Sequence, residues 1–434
     1  MTADGPRPGA GPGDVDPGAG PPPYRAAALA PLYVVVFVGF LGYSLMITVF
    51  TPMILANDNG MLPATSSAAT RSIVLGLLLC LYPLGQFVGA PILGALSDRL
   101  GRRPVLIASL VASTVWYGVI GAALVVKSLP LLMVASFLGG LGEANISIAQ
   151  SAIADAAPAT DRNRLFGYVY LSSSLAYVVG PLAGGQLADR HLASWFGYPT
   201  PFFAVDVLLG LTLVAVVVRL PESHRPRPGV AGGYLKSFTN LATVVTDRRR
   251  RPLYVVNFLL YLAIFGFFRV YPMYLVRVFH LGVARESVFV AWVAVPIVVA
   301  NLWLVGRLSA RWSAAALTVV SGLATGILLV VLPFPGVLDL LWLTLGLTAL
   351  ALAVCLPSCA TMLSLSADDT EQGQVMGNNQ SLQVGAEAIS GIVGGLAAAA
   401  VIELPFVLFG AAALLGAGRL WRRRHVEPLT TVES

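Results

Sequence analysis

Three charged side chains lie deep inside long apolar runs of this sequence: Glu143, Arg269 and Glu387. A charge within a bilayer costs about 2.5–3.5 kcal/mol on insertion scales, so each is expected to face a cavity or a partner rather than lipid. Polar residues accompany both acids. Ser136, Glu143, Ser147 and Gln150 follow one another at i, i+7, i+11 and i+14, a spacing that puts all four on one helical face. Asn379, Gln383, Glu387 and Ser390 make a similar stripe at i, i+4, i+8 and i+11. A carboxyl held away from water loses the hydration that stabilises its charge. Such a group can take a proton in one setting and release it in another, which is the chemistry of proton coupling. The plainer role for Arg269 is a salt bridge to one of the two acids.

No enzyme chemistry competes with this reading. His191, His224, His280 and His425 fall in loops or the tail, and the three cysteines, Cys80, Cys355 and Cys359, sit in apolar runs without zinc or disulfide spacing. There is no phosphate-binding loop ending in Gly-Lys-Ser/Thr, so ATP is not expected to drive the protein. No cofactor and no metal are expected.

The elements that must position these groups are membrane helices. The chain is 57% hydrophobic and 11% charged, with a mean hydropathy of +0.80, where a soluble domain carries about 25% charged residues. Twelve apolar runs stand out, at 31–55, 72–95, 104–126, 130–154, 165–188, 202–220, 253–276, 287–306, 314–333, 338–364, 376–400 and 403–421. Each is near the ~20 residues that cross the hydrocarbon layer, and a backbone without water partners must be helical there. The fold class is therefore all-α, with twelve transmembrane helices. Residues 1–28, rich in Pro, Gly and Ala, are too poor in large apolar groups to fold. They read as a disordered tail, not a signal peptide. Two six-helix halves follow, 29–220 and 253–421, separated by a polar linker at 221–252 and followed by a tail at 422–434.

Arginine and lysine set the orientation. With the first residues inside, 21 of the 27 basic residues fall in cytoplasmic segments, as the positive-inside bias requires. Both termini are then cytoplasmic, in the plasma (inner) membrane. The net charge of +6 is spread over helix ends, so it marks topology and lipid contact, not nucleic acid. The run Arg248 to Arg251 is a juxtamembrane anchor.

Between spans 2 and 3 the chain reads Gly94-x-x-x-Asp98-Arg99-x-Gly101-Arg102-Arg103. The two halves also repeat. Gly167, Gly180, Pro181, Gly184 and Gly185 in span 5 correspond to Gly377, Ser390, Gly391, Gly394 and Gly395 in span 11, each offset by 210, and Gly94 and Arg99 correspond to Gly306 and Arg311. Ala310 stands where the first loop has Asp98. The loop resembles the signature of the major facilitator superfamily at every fixed position, and parallel six-helix repeats are that superfamily's arrangement. Span 5, with Gly180-Pro181-x-x-Gly184-Gly185, is similar to the fifth-helix motif of its twelve-helix drug:proton antiporters (multidrug and tetracycline-type efflux pumps), although Ala176 replaces the usual first glycine. A second departure is Ser136, where those antiporters usually carry an arginine.

The resemblance implies an alternating-access transporter, acting as a monomer, that exports small amphipathic molecules in exchange for protons. It implies that helices 1, 4, 7 and 10 line a central cavity, with 2, 5, 8 and 11 flanking it, so that Glu143, Arg269 and Glu387 converge there with Ser136, Ser147, Gln150, Asn379 and Gln383. It implies a cytoplasmic latch in which Asp155 faces Arg102 while Asp98 meets the start of span 11, and a helix-5 motif that packs one half against the other. An exporter of an endogenous metabolite or siderophore, an uncoupled facilitator, and a transporter-like receptor or assembly factor are the competing readings.

Overall fold

The computed structural model describes residues 29–143, 145–156, 162–221, 244–368 and 371–426. The expected tail at 1–28, most of the linker at 221–252 and the last eight residues of the tail at 422–434 lie outside the described residues. Twelve helices are long and apolar enough to cross a membrane, and no strand occurs among the described residues.

In chain order the helices are α1 (Ala30–Ala56), α2 (Ala68–Leu100), α3 (Arg102–Val125), α4 (Leu129–Gly142 and Asn145–Ala156), α5 (Arg162–Ala188) and α6 (Thr200–Arg219). The second half holds α7 (Arg251–Phe279), α8 (Val283–Val299, a π turn at Ala300–Leu304, then Val305–Ser309), α9 (Ala314–Val331), α10 (Leu338–Ser364), α11 (Gln372–Ala400) and α12 (Leu404–Val426). Several helices outrun the apolar spans. α2 begins at Ala68 and ends at Leu100, and α12 continues to Val426, past the expected start of the tail at 422. Hydropathy marks the stretch in hydrocarbon, whereas backbone hydrogen bonding carries the helix on into the polar interface. α8 starts at Val283, not 287, which brings Glu286 inside the bundle.

Each half has its own apolar core. The first gathers α1 to α6 around residues such as Val36, Phe50, Leu75, Leu106 and Phe202; the second gathers α7 to α12 around Tyr261, Phe267, Leu345, Phe406 and Phe409. Met273, Val276 and Ala398 of the second half belong to the first core. They lie near the ends of α7 and α11, so the halves fuse at the end of the bundle away from the Gly101 loop.

Glycines show the closure directly. A Cβ on Gly76 of α2 would lie 2.7 Å from Gly395 Cα of α11, and one on Gly395 would lie 2.7 Å from Ser72 O. Backbone meets backbone there, the close approach that small residues permit in membranes. Arg277 of α7 ties the same seam, donating to Ser72 Oγ at 3.1 Å and Ala398 O at 2.6 Å. At the Gly101 end, by contrast, Gly94, Gly167, Gly306 and Gly377 would each meet nothing within 4 Å of an added Cβ. These are two of the repeat pairs seen in the sequence. The bundle is closed at one end and open at the other.

Candidate functional site

Six helices bring a polar core to the middle of the bundle. α4 contributes Glu143, 2% exposed, at a break in its helical path. Its backbone leaves helical geometry there, with ψ of 5°, and its N–H reaches both Gly139 O and Gly140 O. The carboxylate accepts from the Tyr82 hydroxyl of α2 and from Gln86 Nε2 at 3.2 Å. Tyr117 of α3 stands behind, its hydroxyl 3.1 Å from that of Tyr82. Gly39 of α1 makes room, since a Cβ there would sit 2.9 Å from Ile146 and 3.4 Å from Glu143 Oε1.

The second cluster joins the halves. Arg269 of α7, 2% exposed, pairs with Glu387 Oε1 of α11 at 3.1 Å. The Arg269 guanidinium also donates to the Tyr43 hydroxyl of α1, which in turn donates to Glu387. The guanidinium carbon lies 5.4 Å from the centre of the Tyr43 ring, within cation–π range. The clusters meet through stacked tyrosines, the Tyr43 and Tyr82 rings being 5.7 Å apart and 27° from parallel. The run Glu143, Tyr82, Tyr43, Glu387, Arg269 therefore crosses from one half to the other.

The expected polar stripes are only partly assembled. Ser136 is fully buried, and its hydroxyl has no hydrogen-bond partner among the described residues. Ser147 is exposed and Gln150 half-buried. The four residues of that stripe therefore do not share one environment. On α11, Asn379 accepts from Tyr261 at 2.7 Å and from Asn257 Nδ2 at 3.4 Å, while Gln383 is half-buried. Asn379 thus stitches α11 to α7 within the second half. Arg269 pairs with Glu387 alone of the two acids.

Sequence reasoning missed Tyr43, Tyr82 and Tyr117. Each is a tyrosine in an apolar span, where its hydroxyl must find a partner, and that was the available signal. It also missed Glu286. That carboxyl is fully buried in the first turn of α8, and neither oxygen has a hydrogen-bond partner among the described residues.

The loop motif forms a cluster within the first half. Gly101 alone joins α2 to α3, at φ of 101°, a backbone region L side chains rarely adopt. Arg102 binds Asp98 at 2.7 Å, Asp155 at 3.0 Å and Ser97 Oγ at 2.7 Å. Arg103 donates to Val217 O of α6 at 2.8 Å, and Arg99 is exposed. The expected meeting of Asp98 with the start of span 11 is absent among the described residues: its side chain is 61% exposed and its ion pair is with Arg102. The bundle is open at this end, so α11 stands away. In the second half Arg250 makes an analogous clamp, pairing with Asp247 at 3.1 Å and with Glu371 at the start of α11.

The helix-5 motif divides between two partners. A Cβ on Gly184 would lie 2.9 Å from Leu45 Cβ, and one on Gly180 would overlap Ser44 and lie 2.9 Å from Leu41 O. Both glycines therefore seat α1 of their own half, which corrects the expectation that the whole motif packs across the halves. Gly185 alone reaches across, where a Cβ would overlap Ser287 and come within 3.0 Å of Val283 O of α8. Successive helical residues differ by about 100°, so neighbouring glycines face different helices. Pro181 is buried in the same helix.

The Major Facilitator Superfamily model matches residues 32–338. Among relatives, the chain is 40% identical over 167 residues to the class C tetracycline resistance protein of Escherichia coli, a stretch covering 38% of this chain and 40% of that protein's length. It is 29% identical over 313 residues to the class G tetracycline resistance protein of Vibrio anguillarum, covering 71% of this chain and 76% of that one. Among solved structures, the human organic anion transporter MFSD10 (TETRAN) shares the fold with a TM-score of 0.66 at 19% identity, covering 91% of this chain and 98% of that one. A bacterial homologue of the lysosomal transporter Spinster, in an inward-facing and occupied conformation, superposes with a TM-score of 0.74 at 15% identity, covering 94% and 98%. With its twelve spans, paired six-helix halves and loop motif, the chain belongs to the Major Facilitator Superfamily, as a multi-pass membrane transporter.

Proposed function

We propose that this transporter exports small amphipathic, drug-like molecules in exchange for protons, by alternating access in the inner membrane with both termini in the cytoplasm. The observation that carries the reading is the polar run from Glu143 through Tyr82 and Tyr43 to Glu387 and Arg269. Two buried carboxyls, each accepting from a tyrosine hydroxyl whose ring stacks on the other's, can hold protons and alter their partners as the halves rock. Arg269 competes with a proton for Glu387, and a substrate amine or hydroxyl can enter the same exchange. Glu143 then carries the coupling proton, while Glu387 and Arg269 bind substrate. Ser147, Gln150 and Gln383 lead toward the open end, which the arginine bias assigns to the cytoplasm. The similarity to tetracycline resistance proteins supports an export substrate of that size and polarity.

The test is transport in proteoliposomes of tetracycline and a panel of cationic dyes, with and without an imposed pH gradient. The wild type should accumulate substrate only when the gradient is present. Glu143→Gln should lose gradient-driven accumulation while keeping substrate exchange. Equal flux without a gradient would identify an uncoupled facilitator, and no flux for any compound would favour a receptor.

A further inference from the structure

The start of α7 and the end of α12 enclose a groove of about 660 Å³ at the open end of the second half. Its walls carry Arg248, Arg251, Arg419, Arg422 and Arg423, its floor is Pro252, Val255 and Val256, and no acidic side chain lines it. Two described acids at the feet of α7 and α11 are already engaged, since Arg250 takes both Asp247 and Glu371. Among the described residues none of the five arginines has a carboxylate within ion-pair distance. Five like charges around one groove repel one another unless a counter-anion fills it. The C-terminal end of α12 offers only partial relief through its helix dipole.

The floor tells what kind of anion fits. A soluble phosphate gains nothing from Val255 and Val256, whereas a membrane lipid presents a charged head directly above apolar chains. Trp421 is exposed on α12 beside the arginines, a residue type enriched where headgroups meet hydrocarbon. Guanidinium groups suit phosphate oxygens, which they bind through paired N–H donors. The same ends of the first half, the start of α1 and the end of α6, bring only Arg219 among the described residues.

We propose that this groove is a binding site for an anionic glycerophospholipid, with its phosphate among the five arginines and an acyl chain along Val255 and Val256. The lipid braces the foot of α7, the helix that carries Arg269, next to the Arg250 clamp on α11. The proposal does not rest on the export reading, because binding can be measured without any transported substrate.

The test uses the purified full-length protein in detergent, titrated with phosphatidylglycerol, with phosphatidylcholine of the same acyl chains, or with inorganic phosphate. Bound lipid is counted by native mass spectrometry and followed by thermal shift. Phosphatidylglycerol should be retained and raise the melting temperature, and phosphatidylcholine should bind at least tenfold more weakly. Inorganic phosphate should produce no shift. Each arginine removed should weaken phosphatidylglycerol roughly fivefold, so that Arg419→Gln/Arg422→Gln/Arg423→Gln loses about a hundredfold. Arg307→Gln/Arg311→Gln, on the same side of the bundle but outside the groove, should bind as the wild type does. If the triple variant does not fold, Arg248→Gln/Arg251→Gln reads the opposite wall. Equal affinity for both lipids, the same shift with inorganic phosphate, or undiminished binding by folded groove variants would each overturn the proposal.

Discussion

Buried charge in this protein is handled in three ways, and each way predicts a different response to substitution. Glu387 and Arg269 neutralise each other. Removing one partner of a buried pair strands the other, at a cost of about 3–5 kcal/mol. Glu387→Gln should therefore lower the melting temperature in detergent, and adding Arg269→Met should recover most of the loss while transport stays absent. A double variant no more stable than the single one would mean that the pair does not bear on stability. Glu143 is held by neutral donors, Tyr82 and Gln86, so an amide can replace it. Glu143→Gln should fold normally and fail only in gradient-driven transport. Glu286 has no hydrogen-bond partner among the described residues, and an unsatisfied buried polar group costs about 1–3 kcal/mol. Glu286→Leu should raise the melting temperature, and a drop would reveal a partner formed in another conformation.

Among the helices, α5 shows how adjacent residues can do separate jobs. Gly184 lies on α1 and Gly185 on α8, so bulk at the two sites should act differently. Gly184→Leu overpacks the interior of one half and should destabilise it, by about 1–3 kcal/mol. Gly185→Val instead wedges the halves apart where they are closed. It should increase labelling of a cysteine placed at Ala284, which borders the 1050 Å³ vestibule at that end, with less effect on the melting temperature. Identical behaviour of the two variants would contradict this division of contacts.

For the whole molecule, the open end fixes what the loop motif can be doing in this conformation. Asp98 is exposed, and among the described residues its one ion pair is with Arg102. An exposed pair of this kind contributes at most about 1 kcal/mol. Asp98→Asn should therefore leave the present conformation and its stability unchanged. Its effect should appear in the opposite conformation, where the open end has shut. Transport should fall, and a cysteine at Gly377, which has open space around it here, should remain reactive through the cycle. Normal transport, with wild-type protection of that cysteine, would remove the latch from the mechanism.

The sequence by itself determined the class of molecule and its plan. Twelve apolar runs separated by polar loops admit only helices across a bilayer, and the spacing of repeated glycines revealed the two halves. Those signals are local or periodic, so they survive without knowledge of contacts. The charges at positions 143, 269 and 387 were equally legible, because an ionisable residue in an apolar run stands out against its neighbours. Tertiary structure alone decided the partners. That Arg269 pairs with Glu387 and leaves Glu143 to Tyr82 depends on the rotation of α4, α7 and α11 about their axes, which hydropathy does not encode in helices that are apolar nearly all round. The break at Glu143, the split of the helix-5 glycines between α1 and α8, and the burial of Glu286 arise in the same way. Each depends on which helix stands opposite, and the state of the bundle, closed at one end and open at the other, depends on how the two halves meet.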